Sequence, residues 1–136
     1  MMSKIIQLFF LCMLSTSIRA QTTLTPAEVV EENLGFYNQR NIDGFMRSFS
    51  DSIVLYSFGK TEPVAKGKAG IEKVYKALFE SSPNLHSTIL HRTVLGNKVI
   101  DHESIVGRKG SSTPIELVMI YEVENNKIIR MTVVRE

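Results

Sequence analysis

The chain has 136 residues, with 16 lysines and arginines against 14 aspartates and glutamates, three histidines and one cysteine. A length of this order suits one domain with a single hydrophobic core. The near balance of charge argues against nucleic acid as a partner, because binding to phosphates relies on a clear excess of basic residues.

The first twenty residues have the layout of a secretory signal peptide. Lys4 precedes an apolar run over 5–14, and small and polar residues then lead to Ala20. That run is about half the ~20 residues that a membrane-spanning helix needs. We predict cleavage after Ala20, a protein that is secreted or periplasmic, and no membrane association after cleavage. A buried N-terminal helix is the alternative.

The predicted signal peptide also contains Cys12, so the mature chain over 21–136 has no cysteine. Disulfides, thiolate catalysis and thiolate metal ligands are thereby excluded together. Lys4 and Arg19 leave with the same segment, so the mature chain is formally neutral. Its stability must come from the packing of one core.

Two helices are predicted at the start of the mature chain. The stretch "TPAE" offers Thr25 as N-cap, Pro26 at the first helical position and Glu28 as the return half of a capping box. A shorter helix fits residues 42–49, with Asn41 as its cap.

The rest of the chain predicts strands interrupted by one helix. "SIVLYSFG" indicates a strand, and after a loop "KAGIEKVYKALFESSP" indicates a helix that stops before Pro83. Four further strands are expected at 85–95, 98–106, 115–124 and 127–134, with hairpin signals at Gly96-Asn97 and Asn125-Asn126. This order predicts an α+β domain with its helices on one face of a strongly curved antiparallel sheet.

The quoted elements make the chain resemble a known family. "YNQRNIDGFMRSFSDSIVLYSFG" followed by "VAKGKAGIEKVYKALFE" is similar to the NTF2-like superfamily, in its SnoaL-like and ketosteroid-isomerase-like branch. The resemblance continues through "GNKVIDHESIVG" and "IYEVENNKIIRM" and covers residues 25–134. It implies a cystatin-like cone in which the curved sheet wraps around a pocket closed by the helices. It leaves function open, since this fold carries many activities.

The isomerase branch uses a carboxylate base with a tyrosine and a protonated aspartate as oxyanion hole. Aligned through the family motifs, these three positions fall at Ser57, Asn33 and Met119 of this chain. Ser57 cannot take a proton from carbon at neutral pH, and Met119 cannot donate a hydrogen bond. An isomerase mechanism of that type is therefore not expected.

The segment "DHE" places three ionisable residues in a row inside the strand over 98–106. Because side chains alternate along a strand, His102 points away from both Asp101 and Glu103, and a local triad or metal site is excluded. The resemblance implies that His102 faces the pocket and that Asp101 and Glu103 lie on the outside of the cone. His102 is then either a hydrogen-bonded core histidine or a group that binds or protonates a ligand.

The other residues expected at the pocket are polar, aromatic or sulfur-containing. They are Tyr37, Ser57, Tyr75, Met119 and Tyr121. Each tyrosine at such a position is more often a core aromatic with its hydroxyl at the rim than a catalytic acid. The histidines lack a carboxylate at ligand spacing, so we expect neither a metal ion nor another cofactor.

The sequence favours an exported protein that binds a small, largely apolar molecule, with catalysis left open. The alternative is an isomerase, cyclase or dehydratase with His102 as general acid or base. A third reading is an interaction module that uses the outer face of the sheet. We also expect a homodimer through that face, on the premise that Val99 and Ile105 would otherwise expose apolar surface.

Overall fold

A computed structural model describes residues 22–136 of the chain, and the predicted signal peptide lies outside the described residues. Three helices are present: α1 (Pro26–Asn38), α2 (Ile42–Arg47) and α3 (Gly67–Ser81). Thr25 forms the predicted capping box with Glu28, and the Asn41 side chain caps α2 by accepting from the Gly44 amide. Among the described residues, no helix is long and apolar enough to cross a membrane.

Six strands form one sheet. They are β1 (Phe49–Ser57), β2 (Pro63–Lys66), β3 (His86–Leu95), β4 (Lys98–Val106), β5 (Ile115–Glu124) and β6 (Lys127–Val134). Their order across the sheet is β2-β1-β6-β5-β4-β3, and all neighbours are antiparallel except β1 and β6. The chain combines three helices with a curved six-stranded sheet, and this confirms the predicted α+β class.

The predicted elements agree closely with the observed ones, apart from β2. That strand falls in the segment expected to be a loop, and its four residues pair with β1 across a bulge. Both predicted hairpin turns are present: Gly96 has a φ of 59°, and Asn125 and Asn126 have φ values of 50° and 59°. Asparagine tolerates this left-handed conformation better than most residues, which explains its use in the second turn.

The helices pack against one face of the sheet and create the core there. An aromatic cluster joins all three helices to this face: Phe45 lies 4.5 Å from the Tyr75 ring centroid and 4.9 Å from that of Phe49. Tyr37 and Phe79 complete the cluster with a centroid separation of 5.5 Å. The cluster packs the helices onto the sheet, and three of its rings also border a cavity: Tyr37, Phe45 and Tyr75.

Candidate functional site

A cavity of about 490 Å³ lies between the helix-facing side of the sheet and helices α1 and α3. Its walls are largely apolar, with Leu55 on β1, Leu117 on β5, and Met131 and Val133 on β6. This volume falls in the range of about 300–1,000 Å³ that is typical of ligand pockets.

Most of the predicted pocket residues line this cavity. They are Tyr37, Ser57, Tyr75, Met119 and Tyr121. Asn33, which holds the position of the isomerase tyrosine, lines the cavity too, and its amide donates to the Phe45 carbonyl oxygen across 3.2 Å. The aligned positions therefore meet in space as the family comparison implies, but without the groups that an isomerase needs.

The predicted orientation of His102 is wrong. His102 lies on the outer face of the sheet and is absent from the cavity wall. Its side chain is 42% exposed, and Nε2 lies 3.0 Å from the Glu116 carboxylate, which is itself mostly in solvent. His102 therefore cannot reach a ligand in this cavity, either to hold it or to exchange a proton with it.

Asp101 and Glu103 lie on the inner face instead, with 1% and 5% of their surfaces exposed. Val99 and Ile105 share that face and are also buried, so the premise that they form an exposed patch is wrong too. Two buried carboxylates are tolerated because β3 supplies a polar partner to each. The alternation along β4 is as predicted, but its two faces are exchanged.

Asp101 is held by a two-pronged ion pair. Arg92 donates from Nε and Nη2 to the two carboxylate oxygens, at 2.7 and 2.8 Å. A third bond, from Nη1 to Glu31 on α1, also measures 2.7 Å and ties the helix to the sheet. Neither Arg92 nor Asp101 lines the cavity, which assigns the pair a structural role.

Glu103 is the acidic group of the cavity wall, and the sequence prediction missed it. The Ser87 hydroxyl donates to its Oε2 at 2.8 Å, and the Tyr121 hydroxyl donates to Oε1 at 3.3 Å. These donors come from the two neighbouring strands, so the sheet holds the carboxyl in one place. The hairpin at Gly96-Asn97 carried a clue, because it places Arg92 opposite Asp101, which shares a strand face with Glu103.

Burial raises the pKa of Glu103, since the charged form loses the stabilisation of water. The hydrogen bond from Ser87 opposes this shift, the charge of Asp101 adds to it, and Tyr121 and Arg92 oppose it. The net effect keeps the pKa above the usual range of a glutamate. A carboxyl in this state can exchange a proton with a ligand more readily near neutral pH than an exposed one.

Three tyrosines stand with Glu103 in what we call the polar floor of the cavity: Tyr37, Tyr75 and Tyr121. Burial raises the pKa of all three phenols, so they remain protonated and act as hydrogen-bond donors. Within residues 22–136, the hydroxyls of Tyr37 and Tyr75 have no hydrogen-bond partner, yet no side-chain polar atom there is both fully buried and unpaired. Both hydroxyls therefore retain access to the cavity.

The opposite end of the cavity opens to solvent and is basic. We call Arg108, Lys109 and Arg135 the basic rim; they line the cavity, and the last two are exposed. Val64 and Val74 stand in the same opening, 54% and 37% exposed. The cavity thus runs from a basic and apolar mouth to a polar floor.

Residues 22–136 contain no group of three or more histidine, cysteine, aspartate or glutamate side chains placed to hold a metal ion. The ionisable groups that line the cavity are Glu103, the three phenols of the polar floor and the basic rim.

The fold and cavity define the class of protein: a single cystatin-like, NTF2-like domain built around an internal cavity. The model of the SnoaL-like domain family matches residues 30–131, and the chain belongs to that family. No curated protein sequence matches the chain.

Many solved structures share the fold. A cystatin-fold protein from Novosphingobium aromaticivorans is 22% identical, with a TM-score of 0.75 over 83% of this chain and 100% of its own. A candidate polyketide cyclase from Sinorhizobium meliloti is 15% identical, with a TM-score of 0.66 over 77% and 92% of the two chains. A protein with a ketosteroid isomerase-like fold from Catenulispora acidiphila, solved in complex with trimethylamine, is 18% identical, with a TM-score of 0.65 over 81% and 85%. At these identities the likeness is one of fold.

Proposed function

We propose that this protein binds a small, largely apolar molecule in the cavity between sheet and helices. The observation that carries the proposal is the combination of apolar walls with a few polar groups that converge at one end, Glu103 among them. The trimethylamine complex of the Catenulispora acidiphila protein supports small-molecule binding by a domain of this fold.

The ligand would lie along Leu55, Met119 and Met131, with its polar group at the polar floor. There the free hydroxyls of Tyr37 and Tyr75 can donate to a ligand oxygen. Burial of an apolar ligand contributes about 25 cal/mol for each Å² of apolar surface removed from water. The walls then supply affinity and the floor supplies orientation.

Native mass spectrometry of the protein purified from its own host tests this proposal. A retained small molecule that is lost from Met131→Asp, which puts a charge into the apolar wall, supports it. The matched control is Thr132→Asp, one residue along on the outer face. A wild-type protein that carries no molecule and binds none of a panel of apolar probes would overturn it.

A second candidate is an enzyme of the isomerase, cyclase or dehydratase kind, with Glu103 in the role first considered for His102. The specific observation in its favour is a buried carboxyl with a raised pKa on the cavity wall. Ionised Glu103 would take a proton from the ligand and return it at another atom, while a tyrosine stabilises the developing oxyanion. Glu103→Gln should then keep the retained ligand and stop its turnover.

The proposal also covers where the protein is located and whether it forms an oligomer. We propose export, on the layout of the residues from Lys4 to Ala20, and a homodimer through the outer face of the sheet. The apolar residues there are Ile100, Val118, Ile120 and Val134, all only partly buried. Ile100 is paired with Ile120, and Val118 with Val134, which makes the patch continuous across three strands.

A further inference from the structure

We infer that the ligand of this cavity is an amphipathic anion: its apolar body lies along the walls, one polar group reaches the polar floor, and a second polar group, a carboxylate-like oxyanion, lies at the basic rim. This inference rests on the proposed binding function and names the class of ligand. It comes from the charges at the mouth of the cavity.

The three cations of the basic rim come from two distant parts of the chain. Arg108 and Lys109 follow β4, whereas Arg135 follows β6. Within residues 22–136, none of the three forms a salt bridge, although Lys68, Arg92 and Arg130 each do so elsewhere. None of the three cations is therefore held in an ion pair, and each can pair with a ligand anion.

The positive charge also acts inside the cavity. The charges of Arg108 and Arg135 each lower the pKa of Tyr37 and of Tyr75, against the rise imposed by burial. These phenols belong to the polar floor, so the field of the rim extends along the cavity. A ligand anion at the mouth would be attracted before it makes any contact.

Glu103 does not cancel this charge. It is the only acidic residue among the described residues that line the cavity, and it lies at the buried end with Ser87 and Tyr121 as partners. The chain beyond the predicted signal peptide is formally neutral, so the rim is a local excess.

The backbone holds part of the rim in place. Gly107 has a φ of 75°, and a side chain there would collide with the Asn84 carbonyl oxygen, so glycine is required where β4 ends. The next turn is fastened by the Lys109 amide, which donates to the Ser82 hydroxyl across 3.0 Å. Arg108 therefore leaves a constrained segment beside the cavity and is itself half-buried.

Val64 and Val74 line the same cavity and are exposed, so its mouth carries apolar surface as well as positive charge. A molecule that combines a hydrocarbon body with an anionic end satisfies both features, since guanidinium groups pair well with carboxylate and phosphate oxygens. A neutral apolar molecule leaves the cations without a partner, and a cationic one is repelled.

Calorimetric titration with probes of equal chain length tests the inference: decanoate, decanol and decyltrimethylammonium. We expect decanoate to bind about tenfold more tightly than decanol, the size of one charge-assisted contact, and the cation to bind most weakly. Added salt should reduce the preference for decanoate. Decyl phosphate is a fourth probe, and its affinity relative to decanoate separates a phosphate ligand from a carboxylate.

The variant Arg108→Gln/Arg135→Gln should lose the preference for decanoate and keep the affinity for decanol. The matched control is Lys73→Gln/Lys76→Gln, which removes the same charge from the exposed side of α3 and should keep the preference. Circular dichroism confirms that each variant is folded.

Equal binding of decanoate and decanol would overturn the inference and leave the proposed function intact. A preference for decanoate that survives the double arginine variant would overturn it as well. A wild-type protein that binds none of the four probes would count against the proposed function itself.

Discussion

The Ser87 hydroxyl donates a 2.8 Å hydrogen bond to the Glu103 carboxylate and so connects β3 to β4 at the polar floor. Tyr121 approaches the other oxygen of the same carboxylate from β5. Three strands thus hold one acidic group against an otherwise apolar wall. The pH dependence of this protein should follow from that arrangement.

Glu103→Gln should change how stability depends on pH. Because folding raises the pKa of Glu103, its stabilising contribution is complete below the unfolded value of about 4.3 and is lost as pH rises through the folded pKa. The glutamine does not titrate. The melting temperature of Glu103→Gln relative to wild type should therefore increase between about pH 4 and pH 8.

Thermal melts of both proteins over this pH range check the prediction, and the control is Glu124→Gln, which removes an exposed carboxylate. Parallel curves for wild type and Glu103→Gln would contradict the assignment.

Arg92→Met should destabilise the protein by about 2–4 kcal/mol, because it leaves the buried Asp101 carboxylate without a partner. We place the cost somewhat below that of a fully buried pair because the Arg92 side chain is 20% exposed. The variant Arg92→Met/Asp101→Asn should recover part of the loss, since no charge remains to be paired. Urea unfolding measures both. Arg130→Met, on the outer face, should cost under about 1 kcal/mol, and an equal cost at the two arginines would refute the structural role of the inner pair.

His102→Ala should leave ligand retention unchanged and cost at most about 1 kcal/mol, because the side chain is 42% exposed and its partner Glu116 is largely in solvent. Native mass spectrometry and urea unfolding provide the two readouts. Tyr75→Phe is the comparison inside the cavity and should weaken binding of a ligand that carries an oxygen acceptor. Loss of the ligand from His102→Ala alone would mean that the binding site lies on the outer face.

Ile120→Lys should convert the proposed homodimer into a monomer, since a charge in the centre of the outer apolar patch would lose water when the two copies associate. Val64→Lys, at the cavity mouth, should leave the dimer intact. Sedimentation velocity at micromolar concentration distinguishes the two species. A wild-type protein that sediments as a monomer would remove the proposal.

The natural protein should begin near Gln21 and be recovered outside the cytoplasm, on the layout of the residues from Lys4 to Ala20. N-terminal sequencing of material from the host, after separation of periplasm and medium from cytosol, checks this. An arginine inserted into the apolar run near Leu11 should keep the protein in the cytosol. Recovery of the wild-type chain from the cytosol with Met1 intact would exclude export.

Local sequence signals define the helices and strands of the fold and their order along the chain. Caps at Thr25 and Asn41 begin helices, Gly96-Asn97 and Asn125-Asn126 turn hairpins, and period-two patterns mark the strands between them. These signals are local, because each depends on backbone conformations within a few residues. The short strand β2 escaped because its pairing with β1 is a tertiary contact.

Which face of β4 lies inside depends on long-range contacts that form when the chain folds. Both faces carry apolar and polar residues in similar proportion, so hydrophobic alternation located the strand without choosing between them. The choice depends on partners far away in the chain: Arg92 and Ser87 on β3 and Tyr121 on β5 satisfy the two buried carboxylates. The two-residue hairpin between β3 and β4 places Arg92 opposite Asp101, and this cross-strand pairing was the sequence signal for the inner pair. The basic rim is likewise tertiary, because the ends of β4 and β6 meet only when the sheet has formed and curved.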